Sequence, residues 1–349
     1  MKKGLKSAIV LMILICLAVT PLFAEGSQED SDVLTASMAT DTGGLGDKSF
    51  NDSAYAGLVK ANTELGVDIN VVESKQMTDY VPNLAGLAED GSDVVFAVGF
   101  LMDEAVKEVA ANYPDQWFAG IDIGGYGAAP ENFIGIQYNE HEAGYLAGIV
   151  AGMMTKEYAG NSDKLNDENV VGVVLGMLIP PVEKFEVGFI QGVHYVNPTC
   201  EVLSIVVDSF TDSAKGKEAA LSMIEQGADI IFQAAGGSGI GAIQACNEEG
   251  IFAIGVDVDQ NAVSPDTVLT SATKGVTQSA YLVIKDVFEG NAMGGDVIYG
   301  IKEDAVGISS FHTHDSIVPQ AVKDEVAMAI SDIKAGKRTI ETSRAAIGR

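Results

Sequence analysis

Short apolar segments alternate with longer amphipathic segments along almost the whole chain, and this alternation limits the possible folds more than any other feature. Ten segments have the length and composition of β-strands: residues 33–40, 67–73, 94–98, 117–121, 133–136, 170–175, 201–207, 230–233, 252–256 and 268–271. Eight others show helical patterning: residues 54–65, 80–89, 102–112, 140–155, 181–196, 213–226, 239–249 and 277–289. Strands and helices that alternate in this way form parallel sheets covered by helices on both faces.

The length of the chain predicts two such sheets. At 349 residues, of which 47% are apolar, the chain is long for a single hydrophobic core. The first set of strands ends near residue 137, and the second begins near residue 170 after a polar segment. We therefore predict an α/β protein with two doubly wound, parallel-sheet lobes.

The N-terminus has the pattern of an export signal. Three lysines among the first six residues precede an apolar run over residues 8–23, which Ala24 and an acidic stretch follow. This pattern predicts a signal peptide over residues 1–24 and an acidic linker over residues 25–32. An uncleaved anchor is the alternative, although the apolar run is short for a membrane span.

The three cysteines raise two further questions. Cys16 makes lipid attachment an alternative to cleavage after Ala24, but Ile15 stands where acylated cysteines usually follow a small residue. Cys200 and Cys246 remain in the mature chain. Two cysteines are too few to indicate a disulfide framework, so we expect free, buried thiols.

The charge of the chain limits its partners. It has 21 basic and 49 acidic residues, and loss of the signal would leave 18 basic residues and a net charge of −31. Such a surface repels nucleic acid and anionic membranes, and it disfavours anionic ligands such as nucleotides. We expect a neutral or cationic small molecule as the ligand, and no nucleic acid.

The loop that follows the first predicted strand, DTGGLGDKSFN over residues 41–51, suits a polar molecule that contains a ring. Ligands of open α/β sheets bind at the carboxyl ends of strands. There, Phe50 can stack on a ring, while Asp41 and Asn51 can form hydrogen bonds with its edge. The competing interpretation is an aspartate that caps a turn and a phenylalanine that packs in the core.

Four further candidates lie near later strands and helices. Asp122 and Asp257 each end a predicted strand, and Lys274 follows another. A carboxylate can accept two hydrogen bonds from a vicinal diol, and a lysine can donate to the remaining oxygen, whereas a surface salt bridge is the simpler alternative. Phe185, near the start of a helix, offers a second aromatic face or an ordinary core contact.

A glycine-rich turn, IIFQAAGGSGIGA over residues 230–242, formally matches a dinucleotide-binding fingerprint. Asp257, the acidic residue of that pattern, comes only 18 residues after Gly239, and the unit lies late in the chain. We therefore favour a tight strand-to-helix turn at which the glycine backbone contacts some ligand.

Motifs of common enzyme classes are missing from the sequence. It contains no Gly-x-Ser-x-Gly elbow, no Walker loop and no His-Glu-x-x-His. His312, His314 and Asp315 lie together near the C-terminus, but a metal site needs more ligands at suitable spacing. We expect no catalytic residue, no metal and no cofactor.

Six ordered segments between about residues 33 and 307 resemble the basic membrane protein family of ABC-transporter substrate-binding proteins, in its purine nucleoside receptor branch. The segments are DTGGLGDKSFNDSAYAGL, GIQYNEHEAGYLAGIVAGMM, FEVGFIQGV, IIFQAAGGSGIG, AIGVDVDQ and VLTSATK. The resemblance implies a type I periplasmic-binding fold, with two lobes joined by three crossover strands. It also implies a monomeric, extracytoplasmic protein that is not an enzyme and that delivers purine nucleosides to a membrane permease and its ATPase.

The resemblance also implies a role for each candidate residue. The base would lie between Phe50 and Phe185 with its edge bound by Asp41 and Asn51, and the ribose would be held by Asp122, Asp257, Lys274 and the backbone at Gly237. Two features depart from the family pattern. Cys16 lacks a normal lipobox, and the run Gly44-Leu45-Gly46 is richer in glycine than usual, which leaves the preferred base open.

The implied crossovers lie near residues 137–140, 259–265 and 300–304. They divide the mature chain into lobe 1 (33–138), lobe 2 (139–262), a return to lobe 1 (263–302) and a return to lobe 2 with a C-terminal tail (303–349). Two alternative functions remain open. An exported nucleoside-cleaving enzyme would need a metal or a general base at the sugar, and a sensor domain would use the same pocket.

Overall fold

The computed structural model describes residues 33–125 and 130–349. The predicted signal peptide (1–24) and acidic linker (25–32) lie outside the described residues. Within the described part of the chain, no helix has both the length and the apolar character needed to cross a membrane.

Strands and helices alternate as predicted. The described strands are β1 (Thr35–Thr40), β2 (Asp68–Glu73), β3 (Val94–Val98), β4 (Trp117–Ile121), β5 (Phe133–Tyr138), β6 (Val170–Leu175), β7 (Glu201–Val206), β8 (Ala228–Ala234), β9 (Phe252–Asp257), β10 (Val268–Lys274), β11 (Gly295–Tyr299) and β12 (Val306–Ile308). The α-helices are α1 (Phe50–Leu65), α2 (Tyr80–Glu89), α3 (Asp103–Asn112), α4 (Glu140–Met154), α5 (Pro180–Val196), α6 (Ser213–Ile224), α7 (Gly236–Glu249), α8 (Val276–Phe288) and α9 (Gln320–Lys334).

The strands form two six-stranded sheets, one in each lobe. Their orders are β11-β5-β4-β3-β1-β2 and β12-β10-β9-β8-β6-β7, so the two sheets share one strand order. Strand pairs are parallel except that β12 runs antiparallel to β10. Strands β3, β6, β8 and β9 are buried at every position, because helices cover both faces of each sheet. The predicted architecture of two parallel-sheet α/β lobes is confirmed.

The chain crosses between the lobes three times: after β5, after β10 and after β11. These crossovers lie side by side. The backbone N–H of Asn139 donates to the carbonyl of Tyr299 (2.8 Å), and that of Gly275 donates to the carbonyl of Ala305 (2.7 Å). They therefore form a compact connection on which the two lobes can turn.

One predicted boundary differs from the structure. Residues 263–274 were expected in lobe 1, after a crossover at 259–265. Instead, β10 pairs with β9 and β12 in the second sheet, so the chain crosses only after Lys274. The segment 259–265 is rich in turn-forming residues, and it makes a tight β9–β10 connection through a short 3₁₀ turn over Asn261–Val263. A polar turn and an interlobe linker have similar composition, and only the strand pairing distinguishes them.

Helices α4 and α5 pack backbone against backbone at a row of glycines. A Cβ added at Gly144 would overlap the carbonyl oxygen of Phe185, and one added at Gly148 would overlap that of Phe189. Only glycine permits this approach, because any larger side chain would push the helices apart. The contact fixes the position of the α5 backbone at Phe185.

The C-terminal segment packs on the second lobe through arginine side chains. All three arginines of the chain lie in its last twelve residues. Arg344 makes a two-point contact with the fully buried Glu186 of α5, with Nε–Oε2 and Nη2–Oε1 distances of 2.6 and 2.8 Å. The guanidinium of Arg338 lies 4.1 Å from the ring centroid of Tyr195. These contacts hold the end of the chain against α5.

Cys200 and Cys246 are both buried and free, as predicted. Burial raises the pKa of each thiol to about 12. Both side chains therefore behave as small apolar groups rather than as reactive thiolates.

Candidate functional site

A cavity lies between the lobes, where the carboxyl ends of strands from both sheets meet. The space between its lining atoms amounts to about 580 Å³, including the solvent at its open side. Loops after β1, β3 and β4 contribute from lobe 1, and the start of α5 and loops after β7, β8 and β9 contribute from lobe 2. Seven of the eight candidate residues line this cavity: Asp41, Phe50, Asn51, Asp122, Phe185, Asp257 and Lys274.

Gly237, the eighth candidate, is not among the lining residues. Its neighbour Gly236 lines the cavity instead. Gly236 is the first residue of α7 and has a φ of 53°, which a glycine adopts without strain. A Cβ on Gly237 would lie 3.1 Å from the carbonyl oxygen of Phe210, on the neighbouring loop. The predicted turn is present, but the helix starts at Gly236, three residues before the predicted start at residue 239, and Gly236 rather than Gly237 lines the cavity.

The lining residues that were not predicted include one carboxylate and two aromatic rings, those of Asp47, Phe100 and Phe210. Phe100 follows β3, and Phe210 lies between β7 and α6. Both are aromatic residues just beyond the carboxyl end of a strand, which is the pattern that identified Phe50. The same rule, applied to every strand, would have found them.

Two strand-end aspartates take an unusual backbone conformation. Asp122 follows β4 with a φ of 65°, and Asp257 ends β9 with a φ of 64°. These strands hold the same place in their respective sheets. Non-glycine residues in this left-handed region carry a conformational cost and occur preferentially at functional sites. The two lobes thus bring equivalent carboxylates to the cavity from opposite sides.

Lys274 lies among three carboxylates. Its Nζ is 2.8 Å from Asp122 Oδ2, 3.6 Å from Glu140 Oε1 and 3.8 Å from Asp257 Oδ1. Burial by itself disfavours the ammonium, but these carboxylates outweigh that effect and raise the pKa of Lys274. The cavity therefore contains a permanent positive charge surrounded by acceptors.

Glu140 is a buried part of this network that the sequence did not reveal. Its side chain is 1% exposed at the start of α4, directly after a crossover, and its Oε2 lies 3.1 Å from Lys184 Nζ. Burial raises the pKa of Glu140 to about 7, although Lys274 and Lys184 oppose this shift. Lys184 also donates to the carbonyl of Tyr138 (2.9 Å). The network therefore connects the cavity with the crossover between β5 and α4.

The loop between β1 and α1 is organised by Asp47. Its carboxylate accepts backbone hydrogen bonds from Ser49, Asn51 and Asp52 at 2.8–3.2 Å. The side chain of Asn51 in turn donates to Asp41 Oδ1 (3.0 Å). Burial raises the pKa of Asp41 to about 6. The loop thus presents a fixed amide and a buried carboxylate at one end of the cavity.

Aromatic rings from both lobes flank the same point. Lys274 Nζ lies 4.7 Å from the ring centroid of Phe50 in lobe 1 and 5.7 Å from that of Phe185 in lobe 2. Phe185 also packs edge-on against Phe232, with the ring centroids 6.0 Å apart. A flat ligand between these rings would contact both lobes.

Hydrogen bonds across the cleft hold the lobes together. Ser49 Oγ of lobe 1 donates to Asp257 Oδ2 of lobe 2 (2.5 Å), and Gln260 Nε2 of lobe 2 donates to the carbonyl of Lys48 (3.0 Å). The Lys274–Asp122 ion pair also joins the lobes. The structure therefore represents a closed cleft, which must open for a ligand to enter.

Comparisons with known proteins agree with this arrangement. The family model described as ABC transporter substrate-binding protein PnrA-like (Bmp) matches residues 34–339. The chain belongs to this family. Basic membrane protein A1 of Borrelia garinii subsp. bavariensis is 30% identical over 91% of each chain. An uncharacterized lipoprotein of Pyrococcus furiosus is 34% identical over 81% of this chain and 71% of its own length.

A solved structure supports the same conclusion. The solute-binding protein of an ABC transporter system from Aeropyrum pernix K1 has a TM-score of 0.82 and 28% identity, covering 89% of this chain and 94% of its own. The resemblance inferred from the sequence is thus confirmed at the level of family and fold. The protein is a substrate-binding protein of the ABC transporter class, which binds a small molecule for a permease and its ATPase.

The described residues add one observation on metals. Among residues 33–125 and 130–349, no group of three or more histidine, cysteine or acidic side chains is placed to hold a metal ion. The acidic residues of the cavity are instead joined to Lys274, Ser49 and Asn51. Their arrangement suits hydrogen bonding to an organic ligand.

Proposed function

We propose that this substrate-binding protein binds purine nucleosides between its lobes, outside the cytoplasm, and delivers them to an ABC permease and ATPase. One observation carries the proposal. The aromatic rings contributed by the two lobes lie near the Lys274 ammonium, and strand-end carboxylates from both lobes surround the same ammonium. A base between Phe50 and Phe185 and a ribose at Asp122, Asp257 and Lys274 would use all of these groups. The protein would act as a monomer.

The chemistry of the cavity favours an uncharged sugar over a phosphate. Four carboxylates line the cavity, those of Asp41, Asp47, Asp122 and Asp257, and Lys274 is the one lysine among the described lining residues. The carboxylates can accept hydrogen bonds from ribose hydroxyls, whereas a phosphate would meet like charge in a poorly solvated space.

We therefore expect guanosine and inosine to bind and their 5′-monophosphates to bind at least about 100-fold more weakly, because like charges juxtaposed across a buried interface cost several kcal/mol. Isothermal titration calorimetry with each nucleoside and its monophosphate measures the difference. Comparable affinity for the phosphates would contradict the proposed ligand class.

The two rings provide a second test. Changing Phe50 or Phe185 to Ala should weaken nucleoside binding by about 1–3 kcal/mol each, which is the range for base–aromatic stacking. Because both rings would contact one base, the effects should not be additive in the double variant. Phe288, which is 49% exposed, is a matched control, and its change to Ala should leave affinity unchanged. Unchanged affinity in both cavity variants would mean that these rings serve only in packing.

A catalytic function has a direct test. We propose that the protein releases its nucleoside unchanged, in keeping with a family of substrate-binding proteins. Prolonged incubation with inosine, followed by chromatography, should recover inosine alone. Accumulation of free hypoxanthine in proportion to protein concentration would instead indicate a nucleoside-cleaving enzyme.

A further inference from the structure

A buried pair of glutamine side chains lies behind the lobe-2 wall of the cavity. Gln233 in β8 and Gln260, which follows β9, are each 1% exposed. Gln233 Nε2 donates to Gln260 Oε1 (2.7 Å), and Gln233 Oε1 accepts from the backbone N–H of Ala235, which lines the cavity (3.0 Å). A Cβ on Gly239 would overlap the side-chain carbonyl of Gln233. The glycine-rich turn of residues 230–242 therefore makes room for this amide pair.

The side chain of Gln260 is held in one orientation by its own lobe. Its Oε1 accepts from the backbone N–H of Val256 (3.0 Å) as well as from Gln233, and its backbone N–H donates to Ser271 Oγ (3.0 Å). Because a backbone N–H can only donate, the contact with Val256 fixes which end of the amide is the oxygen. The nitrogen is thereby directed at lobe 1, where Nε2 donates to the carbonyl of Lys48 (3.0 Å).

Lys48 can meet this amide only when the cleft is closed. It lies in the loop between β1 and α1, two residues before Phe50, and so moves with lobe 1. Opening the lobes would remove the Lys48 carbonyl but leave the contacts of Gln260 within lobe 2 intact. Unlike Asp257, to which Ser49 donates across the same cleft, Gln260 is not among the described residues that line the cavity. Its hydrogen bond to Lys48 therefore depends on closure and not on the groups of the ligand.

We infer that Gln260 is a positioning residue for closure of the cleft, which stabilises the closed form by binding the Lys48 carbonyl and does so without touching the ligand. The amide is already oriented in lobe 2, so closure has little side-chain entropy to remove there. A contact that exists only in the closed form adds the same free energy to the binding of every ligand that closes the cleft. The inference rests on the proposed function only in that nucleosides serve as its probes.

Changing Gln260 to Glu tests the inference. The glutamate keeps an oxygen that can accept from Val256 and Gln233, but it places a second oxygen against the Lys48 carbonyl. Isothermal titration calorimetry at pH 8 should show that guanosine and inosine both bind at least about tenfold more weakly than to the wild type, and by the same factor, because a hydrogen bond is replaced by a repulsive contact. Gln278→Glu, at an exposed position in α8, is the matched control and should leave both affinities unchanged.

Unchanged affinity in Gln260→Glu, or a loss confined to one of the two nucleosides, would overturn the inference. A second variant decides the question if the glutamate protein does not fold. Gln260→Asn is uncharged and one methylene shorter, so it withdraws the amide from Lys48 and should weaken both nucleosides by a common factor.

A ligand-free measurement separates this inference from the proposed ligand. A nitroxide attached at Leu178→Cys, an exposed position beside the cavity-lining Ile179 of lobe 2, reports on the backbone N–H of Gly99 in lobe 1 through paramagnetic relaxation enhancement. The free cysteines of the described chain are buried and should not react with the label. The enhancement that arises from the closed form should be about tenfold smaller in Gln260→Glu. If the wild type binds no nucleoside, the proposed ligand class is wrong and this enhancement decides alone, since equal values in the two proteins would overturn the inference.

Discussion

Changing Lys274 to Met should lower the affinity for guanosine by about 2–5 kcal/mol, because closure of the cleft on the ligand would bury the carboxylates from both lobes without their shared cation. The side chain is 2% exposed and lies within 4 Å of the carboxylates of Asp122, Glu140 and Asp257. Without the ammonium, Asp122 and Asp257 lose their shared cation, and Glu140 keeps only Lys184. Burial already raises the pKa values of Glu140 and Asp257, and the loss of Lys274, which opposes this effect, should raise both further. Isothermal titration calorimetry at pH 7.5 measures the loss of binding.

A surface lysine provides the control for this change. Lys60 Nζ also lies over an aromatic ring, 4.2 Å from the centroid of Tyr281, and it donates to Gln278 (2.8 Å) at an exposed position. Lys60→Met should leave the affinity unchanged. If Lys274→Met binds guanosine as tightly as the wild type, the ammonium has only a structural role, and the proposed ribose contact is wrong.

Changing Gly148 to Ala should lower the free energy of unfolding by about 3 kcal/mol or more, at the upper end of the range for overpacked cores. The new methyl group would overlap the carbonyl oxygen of Phe189 on α5. Because backbone cannot rotate away as a side chain can, α4 and α5 must separate along their shared face. Urea denaturation followed by circular dichroism measures the change.

A glycine-to-alanine substitution at an uncrowded helix position should have the opposite effect on the free energy of unfolding. Gly86 lies inside α2, and a Cβ built there would have no heavy atom within 4 Å. Gly86→Ala should therefore raise the free energy of unfolding by about 0.5–1 kcal/mol, because alanine has the higher helix propensity and restricts the unfolded chain. Equal effects of the two changes would contradict the close α4–α5 contact. A loss of nucleoside affinity in Gly148→Ala would further show that this contact positions Phe185.

Local sequence patterns were sufficient for most of the elements. The strand β3 and the helix α2 have the predicted bounds, since a fully apolar run of five residues and an amphipathic run of ten carry strong local signals. Strand β11 was missed, because most of its residues are exposed at the sheet edge and its pairing with β5 joins distant segments. Helix α9 was also missed, although its buried residues, Val322, Val326 and Ala329, follow a helical spacing that could have been recognised.

The sequence was sufficient to predict those residues of the candidate site that lie at the carboxyl ends of strands. Parallel strands bring their carboxyl ends to one edge of a sheet, so residues such as Asp41, Asp122 and Asp257 could be placed near a ligand from the sequence alone. Glu140 and Lys184 could not, because each lies within a helix, and their roles depend on how α4 and α5 meet the crossovers.

The sequence by itself therefore determined the two-lobed α/β architecture, the family and seven of the residues that line the cavity, because periodicity and strand-end chemistry are local. Only the tertiary structure decided that the chain crosses after β10, that Gly236 rather than Gly237 reaches the cavity, and that the Asn51 amide donates to the carboxylates of Asp41 and Asp47. These features depend on strand pairing, on where a helix begins and on which partners surround one amide. All three are set by which groups meet in the folded chain, and neither residue type nor periodicity specifies those contacts.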